Sequence, residues 1–335
     1  MIRAYATKEA NGKFEVIEYD PGALKADDVE IEVESCGLCH SDLSLVDDEW
    51  GVTQFPIVPG HEVIGRIVET GPAVTHLQTG DRVGVGWFSR SCLTCTPCMS
   101  GDHNMCPSVE QIAVGRPGGF GERVRVQASW ANRLPDSLDP KKAGPLFCGG
   151  ITVFNPLVQF GVRPTDKVGV IGIGGLGHLA LQFLRAWGCE VTAFTSTGAK
   201  ADEARRFGAH RVVDSRDKDA LKAEAGRYDF ILSTVAVPLE WGRYFAALAP
   251  RGRLHTVGAV SEPIEVQAFS LIGGQKSLSG SPLGSPATIR QMLDFCERHD
   301  IAPQIETMPM SRIDEAFQRL RDGKPRYRIV LENDF

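Results

Sequence analysis

Residues 167–188 read KVGVIGIGGLGHLALQFLRAWG, and this stretch decides the fold of the second half of the chain. Its first seven residues form a mostly apolar run that is typical of a buried strand. Apolar side chains then recur at the spacing of one helix face: Leu176, Leu179, Ala180, Phe183, Leu184 and Trp187, before Gly188. Further apolar runs at 189–194, 211–214, 228–234 and 253–258 alternate with helix-like segments. This alternation predicts an α/β fold with a doubly wound parallel sheet.

The turn between this strand and this helix carries the pattern G-x-G-x-x-G at Gly172, Gly174 and Gly177. Glycines allow a tight turn and a close backbone approach, and a helix N-terminus offers N–H groups and a partial positive charge to a pyrophosphate. We therefore predict a Rossmann dinucleotide site that also includes Gly175 and Leu176. The alternative is a glycine-rich structural turn.

The end of the next predicted strand, FTSTGAK at 194–200, favours NADPH over NADH. NAD sites usually carry an acidic residue there, and a carboxylate about 4 Å from a 2′-phosphate would be repelled by about 4 kcal/mol. Ser196 and Thr197 can instead donate hydrogen bonds, and Lys200 brings a positive charge. Alternatively, these are loop and N-cap residues before a solvated lysine. The predicted cofactor residues also include Thr195, Thr234, Val257 and Gly258.

The rest of the chain reads as a second, β-rich domain. Residues 28–35 alternate apolar and acidic side chains, and similar short runs separated by Gly and Pro continue to about residue 135. A helix should begin with Ser285 as N-cap and Pro286 in its first turn. A last helix at 311–323, with Ser311 and Asp314 as a capping box, precedes a closing strand at 327–331. We assign 1–150 with 286–335 to the β-rich domain and 151–285 to the dinucleotide domain.

Composition narrows the classes of function. The 335 residues carry a net charge of −6 without a basic block, which argues against nucleic acid or an anionic membrane as partner. We find no membrane span and no stretch that resembles a signal peptide, and we expect a cytoplasmic protein. Nine cysteines in a reducing compartment are ligands, nucleophiles or core residues rather than disulfides. Among them, Cys36, Cys189 and Cys296 are expected to pack.

A lobe at 90–107 has the strongest metal signal in the chain. Cys92, Cys95, Cys98 and Cys106 have the spacing C-x2-C-x2-C-x7-C in a stretch containing Gly and Pro. Four thiolates close a tetrahedral zinc site with no open position, so its role should be structural. Three cysteines two residues apart and the following Pro107 also resemble a bacterial iron–sulfur site, but such a site needs a shorter final spacing. His103 could also replace Cys106 as a ligand, or the four cysteines could be reduced and hold no metal.

A second metal site could come from three separate segments. CGLCHSD at 36–42, GHE at 60–62 and LFCGG at 146–150 offer Cys39, His61 and Cys148. Two cysteines and one histidine would leave a fourth zinc position open for a carbonyl oxygen. The residues alone do not show that such distant positions meet.

These motifs together resemble those of a known family. CGLCHSD, GHEVIGRIVETG, GDRVGVG, the four-cysteine lobe, GPLFCGGITVF, GIGGLGH and RYRIVL occur in the order found in zinc-dependent medium-chain dehydrogenases, along nearly the whole chain. Within that superfamily the chain is similar to the cinnamyl alcohol dehydrogenase group, and above all to bacterial broad-range NADPH-dependent aldehyde reductases. The resemblance implies a GroES-like catalytic domain beside the Rossmann domain. It also implies a small-molecule aldehyde or alcohol substrate, and a homodimer or homotetramer.

The resemblance further assigns roles to individual residues. It implies two Zn²⁺ per chain: a catalytic ion on Cys39, His61 and Cys148 with Glu62 beside it, and a structural ion on the four-cysteine lobe. Ser41 would bond the zinc-bound oxygen and deliver a proton. His40 and Thr152 would contact the cofactor, which is NADPH. Trp50 and Trp87 align with the substrate pocket, although tryptophans in a β-rich domain often pack in the core.

One position departs from the family pattern. Many members carry a histidine three residues after the serine or threonine, as the outer end of a proton relay, where this chain has Ser44. Bulk water, or an acid among Asp47, Asp48 and Glu49, could substitute, and those three could equally form a solvated loop. The competing functions are a zinc-free reductase of the same fold, a non-catalytic NADPH-binding sensor, and an alcohol dehydrogenase that prefers NAD.

Overall fold

Two structural units make up the chain in a computed structural model, which describes residues 1–196 and 198–335. The first unit comprises Met1–Ile151 and Leu283–Phe335, and the second comprises Thr152–Pro282. The boundaries assigned from the sequence lie after residues 150 and 285. Within the described ranges, every helix is too short or too polar to cross a bilayer.

The strands, in chain order, are β1 (Ile2–Ala6), β2 (Glu15–Tyr19), β3 (Asp28–Leu38), β4 (Val63–Thr70), β5 (Arg82–Val85), β6 (Phe88–Arg90), β7 (Glu110–Gln111), β8 (Arg123–Gln127), β9 (Asn132–Arg133), β10 (Lys167–Ile171), β11 (Glu190–Thr195), β12 (Arg211–Asp214), β13 (Tyr228–Ser233), β14 (Leu248–Thr256), β15 (Ser277–Gly280), β16 (Ile305–Pro309) and β17 (Arg328–Glu332). The α-helices are α1 (His40–Val46), α2 (Thr96–Met99), α3 (Pro140–Ala143), α4 (Gly149–Gln159), α5 (Gly177–Trp187), α6 (Ala201–Arg206), α7 (Lys218–Ala223), α8 (Trp241–Ala247), α9 (Ala268–Ile272), α10 (Pro286–His299) and α11 (Ile313–Arg321).

The first unit is built on a seven-stranded sheet in the order β16-β17-β3-β4-β5-β9, with β8 also paired to β3. Only β16 and β17 run parallel, and the other neighbours are antiparallel. The predicted alternation at 28–35 becomes β3, where Val29, Ile31 and Val33 enter the core. Because β17 pairs with the end of β3, the C-terminal segment lies beside the strand that leads to Cys39.

The second unit contains the predicted parallel sheet, with strand order β12-β11-β10-β13-β14-β15. This is the Rossmann order, in which the chain reverses direction of winding between β10 and β13. The glycine turn follows β10 and therefore lies at that switch point. Gly188 caps the C-terminus of helix α5, and its φ of 104° is easily adopted only by glycine.

Helix termini show one confirmed and one wrong prediction. The Ser285 Oγ accepts a hydrogen bond from the Thr288 N–H at 3.4 Å, so Ser285 is the N-cap of α10 as predicted. The capping box of the last helix is wrong, because α11 begins only at Ile313. The Ser311 hydroxyl donates a hydrogen bond to the Asp334 carboxylate at 2.5 Å, and the Asp314 carboxylate accepts one from the Phe14 N–H at 3.2 Å. Long-range partners therefore replace the local pair.

Two histidines of the second unit are buried. His178 in α5 approaches the Gly174 carbonyl oxygen through Nδ1 at 3.1 Å. His255 in β14 lies between two hydroxyls, with Nδ1 2.9 Å from Ser279 Oγ and Nε2 3.0 Å from Ser281 Oγ. Burial and the nearby Arg253 lower the pKa of His255 to about 4, so it packs as a neutral side chain.

Candidate active site

The local fold around Cys39 is fixed by a buried carboxylate. Cys39 precedes α1 in extended conformation, and its N–H donates to Asp42 Oδ2 at 2.9 Å, in the i to i+3 geometry of a capping box. The other oxygen, Asp42 Oδ1, accepts from the Gly60 N–H at 2.9 Å and lies 2.8 Å from His61 Nδ1. Asp42 therefore joins the segment of Cys39 to the segment of His61.

This contact also sets the tautomer of His61. With Nδ1–H donating to the carboxylate, the lone pair of Nε2 is free to bind a metal, and such carboxylate–histidine pairs are usual behind zinc ligands. The two rings of His61 and Trp87 meet edge to face, with centroids 4.9 Å apart. His61 is fully buried, and its orientation is fixed on both sides.

Four potential ligand atoms converge at this point. Cys39, His61, Glu62 and Cys148 each offer one atom, and these atoms lie within 4.8 Å of one another. The two Sγ atoms of Cys39 and Cys148 are 3.7 Å apart, and His61 Nε2 is 3.2 Å from Cys148 Sγ. Two thiolates on a tetrahedral zinc, each at ~2.3 Å, would be separated by ~3.8 Å. The donor types and their separations therefore fit zinc.

Glu62 belongs to a buried ion pair that the sequence did not predict. Arg328 of β17 contacts Glu62 Oε1, and both side chains are almost fully buried. The second oxygen, Glu62 Oε2, has no hydrogen-bond partner among the described residues. Burial raises the pKa of Glu62 to about 7, although the guanidinium of Arg328 acts to lower it. Burial acts to lower the pKa of Arg328, but the negative charges of Glu62, Cys39 and Cys148 together raise that pKa.

A glycine makes room for this carboxylate. A Cβ added at Gly37 would lie 2.0 Å from Glu62 Oε2, a distance no side chain tolerates. Gly37 is therefore required in CGLCHSD for packing rather than for chemistry. Its neighbour Cys36 is buried in the core, and burial raises the pKa of its thiol, as befits a packing cysteine.

The predicted proton donor and pocket residues lie next to the converging ligands. Ser41 Oγ is 3.8 Å from Cys39 Sγ, and the side chain is half-buried. Trp50 meets Trp87 edge to face with centroids 6.1 Å apart. Trp50 is 40% exposed, so it does not pack in the core. Together the two indoles form an apolar wall beside His61.

The four-cysteine lobe also brings its ligand atoms together. The Sγ atoms of Cys92, Cys95, Cys98 and Cys106 lie within 4.8 Å of one another, and His103 is not part of the group. The Cys95 N–H donates to Cys92 Sγ at 3.3 Å, and the Cys92 N–H donates to Cys106 Sγ at 3.4 Å. Hydrogen bonds from the backbone N–H groups of Thr94 and Cys95 lower the pKa of Cys92 to about 5. Backbone N–H donors thus favour the thiolate, the form that binds metal, at Cys92 and Cys106.

In the second unit, the glycine turn is tightly packed at its ends and open in its middle. Gly172 has a φ of +87°, and a Cβ at Gly177 would lie 1.9 Å from the Gly172 carbonyl oxygen. At Gly174 a Cβ would meet nothing within 4 Å, so the middle of the turn faces open space. The Thr234 hydroxyl lies 2.9 Å from the Ile171 carbonyl oxygen and 3.0 Å from that of Gly172, and it fixes the turn from behind.

The other predicted cofactor residues lie mainly at the carboxyl edge of the same sheet. Thr195 is the buried last residue of β11, and Ser196 follows it exposed to solvent. Lys200 Nζ donates to the Ile173 carbonyl oxygen at 3.0 Å, which holds its charge beside the glycine turn. Val257 and Gly258 follow β14. Thr197 lies outside the described residues.

Two predicted cofactor contacts belong to helices rather than to this edge. His40 is the exposed first residue of α1 in the first unit, and Thr152 is buried in α4 at the start of the second unit. Their contacts with the cofactor therefore stay predictions.

Comparison with known proteins identifies the family of the chain. Residues 25–136 match the alcohol dehydrogenase GroES-like domain, and residues 175–298 match the zinc-binding dehydrogenase domain. The aldehyde reductase AdhA of Synechocystis sp. is 54% identical over 333 residues, which are 99% of each chain. The chain belongs to the zinc-binding alcohol dehydrogenase family. The family and the two fold types predicted from the sequence are thereby confirmed.

Solved structures of the zinc-binding alcohol dehydrogenase family agree with the fold. Cinnamyl alcohol dehydrogenase SbCAD4 of Sorghum bicolor gives a TM-score of 0.95 at 36% identity, covering 99% of this chain and 97% of its own. Cinnamyl alcohol dehydrogenase of Helicobacter pylori, solved in complex with NADP(H), gives 0.90 at 29% identity with the same coverage.

The residues that sequence reasoning missed are Asp42 and Arg328. The spacing of Cys39 and Asp42 is that of a capping box and could have suggested the contact between them. No local signal marks Arg328, because its partner Glu62 is 266 positions away.

Proposed function

We propose that the protein is a zinc-dependent aldehyde reductase that transfers hydride reversibly between NADPH and a broad range of aliphatic or aromatic aldehydes. The observation that carries the proposal is the convergence of Cys39, His61 and Cys148 beside Ser41. Three protein ligands leave the fourth position of a tetrahedral zinc open, as in catalytic rather than structural sites. The aldehyde reductase of Synechocystis supports the assignment of this activity.

Two zinc ions would have different roles. The first would be held by Cys39, His61 and Cys148, with the Glu62 carboxylate beside it and balanced by Arg328. The second would be closed in by the four thiolates of the lobe and would stabilise it. When bound, zinc polarises a carbonyl oxygen and NADPH supplies the hydride. Both ligand sets need reduced thiols, and every cysteine is free, which supports a cytoplasmic location.

The chain itself supplies proton transfer, orientation and an apolar surface. Ser41 holds a hydroxyl close to Cys39, where it can give its proton to the oxygen of the reacting aldehyde. Trp50 and Trp87 offer flat apolar faces to an aliphatic or aromatic substituent. Asp42 accepts the Nδ1 proton of His61, which leaves the lone pair of Nε2 on the neutral ring directed toward the ligand group.

The preference for NADPH rests on the end of β11, where Thr195, Ser196 and Lys200 present no carboxylate. The Helicobacter pylori relative, solved with NADP(H), supports it. We expect Lys200→Ala to weaken NADP⁺ binding by about tenfold and NAD⁺ binding little, because one charge-assisted hydrogen bond is worth about 1.5–3 kcal/mol. Fluorescence titration of each cofactor measures this; equal losses for both would contradict a role of Lys200 at the 2′-phosphate, and tighter binding of NAD⁺ by the parent chain would favour an enzyme that prefers NAD.

We also propose a homodimer or homotetramer assembled through the second unit. Strand β15 pairs only with β14 among the described residues and so leaves an open sheet edge. Phe269 and Ile272 of α9 are 84% and 67% exposed, an unusual state for large apolar side chains. Light scattering should give a mass of at least two chains, and Phe269→Glu should lower it.

The decisive experiment measures NADPH oxidation with a panel of aldehydes together with zinc content. We expect turnover and two zinc ions per chain. Cys148→Ser should abolish turnover and release one zinc while the fold persists. Cys36→Ala, which removes a buried thiol outside the ligand group, is the matched control and should retain both. Two zinc ions without turnover on any aldehyde would favour the sensor, and full activity in Cys148→Ser would contradict the ligand assignment.

A further inference from the structure

The chain passes from the second unit back to the first between Pro282 and Leu283. Residues 281–285, here called the return segment, follow β15 directly and belong to neither a helix nor a strand. The backbone of such a segment needs hydrogen-bond partners from elsewhere. Asn155 Nδ2 of α4 donates to the Pro282 carbonyl oxygen at 3.3 Å, and Asn104 Nδ2 donates to that of Leu283 at 2.7 Å. Two asparagines therefore hold consecutive carbonyl groups of the return segment.

Both of these amide groups are only partly hydrogen-bonded. The Oδ1 atoms of Asn104 and Asn155 are shielded from solvent and have no hydrogen-bond partner among the described residues. A shielded acceptor without a partner is destabilising, so packing alone would favour an apolar side chain at both positions. The hydrogen bond to the return segment is therefore the contribution that each amide makes.

Asn104 belongs to the four-cysteine lobe. It lies in a short 3-10 turn, His103–Met105, between the predicted zinc ligands Cys98 and Cys106. The Cys106 N–H donates to the His103 carbonyl oxygen at 3.2 Å, which joins the turn to the ligand. Zinc on Cys98 and Cys106 would hold both ends of the stretch that presents Asn104. The lobe is thus connected to the return segment by one side chain.

The return segment also begins beside predicted cofactor residues. Strands β14 and β15 run parallel, and their last residues, Thr256 and Gly280, are paired. Val257 and Ser281 therefore leave adjacent strands at the carboxyl edge of the sheet, where Rossmann domains bind their dinucleotide. His255 Nε2 lies 3.0 Å from Ser281 Oγ and holds the start of the segment within the second unit.

We propose that the zinc lobe anchors the return segment through Asn104 and thereby increases the affinity for NADPH. The inference rests on the proposed function, which supplies the lobe zinc and the cofactor. An anchored segment keeps one conformation at the edge of the cofactor site, whereas a loose segment must be ordered when the cofactor binds, which lowers affinity. Asn104 is then a positioning residue that acts through Leu283. The lobe serves cofactor binding as well as its own stability.

The chain offers a variant that removes the anchor and keeps the shape of the side chain. Asn104→Leu retains the branched side chain and loses both the donor and the unpaired acceptor. Met105→Ala is the matched control, because Met105 lies in the same turn, is next to the ligand Cys106 and is 55% exposed. Both variants should keep two zinc ions per chain. Cys95→Ser, which should lose the lobe zinc, tests the same anchor from the metal side.

Fluorescence titration with NADPH measures the effect on affinity. We expect Asn104→Leu to weaken NADPH binding about fivefold, the factor that one neutral hydrogen bond is worth, and Met105→Ala to bind like the parent chain. Cys95→Ser should weaken binding by at least as much. Adding Asn104→Leu to Cys95→Ser should cause no further loss, because both changes release the same anchor. In aldehyde reduction by Asn104→Leu, the KM for NADPH should rise by a similar factor while kcat does not fall.

Hydrogen exchange measured by mass spectrometry tests the anchor without cofactor. The Thr288 and Ile289 N–H groups donate to Ser285, the last residue of the return segment. In Asn104→Leu and in Cys95→Ser these amide hydrogens should exchange several-fold faster than in the parent chain. In Met105→Ala they should exchange at the parent rate, and those of α5 should be unchanged in all three variants.

The outcomes separate the anchor from the proposed function. Parent-like NADPH affinity in Asn104→Leu, or parent-like exchange at Thr288 and Ile289, would overturn the anchor. An additive loss of affinity in the double variant would also overturn it, since the lobe would then act by another route. A parent chain that binds no NADPH would instead overturn the proposed function.

Discussion

The buried pair of Arg328 and Glu62 leads to a quantitative prediction. At a contact of about 3 Å and an effective dielectric near 20, the two charges attract by about 5 kcal/mol. Removing one member of a buried pair leaves the other charge uncompensated, and the usual cost is about 3–5 kcal/mol. We therefore expect Arg328→Met to lower the free energy of unfolding of the first unit by about 3–5 kcal/mol. The pair is almost inaccessible to water, so solvent screens it little.

The assay is urea unfolding of the zinc-loaded protein followed by circular dichroism. Zinc release to a coloured chelator identifies the transition of the first unit, since both ligand groups belong to it. The double variant Glu62→Gln with Arg328→Met should be less destabilised than the sum of the two single changes, by at least about 1 kcal/mol. The exposed pair of Arg312 and Glu315 provides the control, and Arg312→Met should cost less than about 1 kcal/mol. A loss in Arg328→Met no larger than in Arg312→Met would refute the reasoning.

Three further predictions concern other parts of the chain. Gly177→Ala should destabilise the second unit by about 1–3 kcal/mol, because the added Cβ would meet the Gly172 carbonyl oxygen. Gly174→Ala, whose Cβ would meet nothing, should leave the stability unchanged. Thermal unfolding of both variants without cofactor measures the difference. Cys95→Ser should lose one zinc ion per chain and lower the unfolding temperature, and retention of both ions would contradict a zinc site in the lobe. The stability that depends on neutral His255 is complete above about pH 6.5 and should fall by up to about 3 kcal/mol towards pH 4, since the unfolded chain binds a proton that the folded chain excludes. His255→Gln should remove this part of the slope in urea unfolding measured across that range, and an unchanged slope would show that the residue does not control it.

Much of the dinucleotide unit was predictable because its signals are local. The strand at 167, the glycine turn and the helix up to Gly188 follow one another within a single segment, and periodicity alone indicates each of them. The same holds for Ser285, whose capping partner Thr288 lies three residues away. Contacts between residues that are close in the sequence can be predicted, because within one turn or helix the spacing of two residues determines whether their side chains meet.

The contacts that were missed or wrong depend on distant parts of the chain. Ser311 was expected to cap a helix with Asp314, but Asp334 is a competing partner that local spacing does not reveal. His255 carries no sign of burial until β15 places two serines against it. Cys39, His61 and Cys148 were grouped through family resemblance rather than through spacing.

The position of Arg328 also has a consequence for biosynthesis. During translation, Glu62 leaves the ribosome 266 residues before the arginine that neutralises it, and the whole second unit is made in between. Until β17 emerges and pairs with β3, Cys39 follows a strand of an unfinished sheet, and the ligand group that it forms with Cys148 lacks Arg328 beside Glu62. The nascent chain therefore passes through a long interval in which its dinucleotide unit can fold while the thiols remain open to oxidation or to the wrong metal. Protection of these cysteines during synthesis should matter more for the yield of active enzyme than it would in a chain whose metal site closes early.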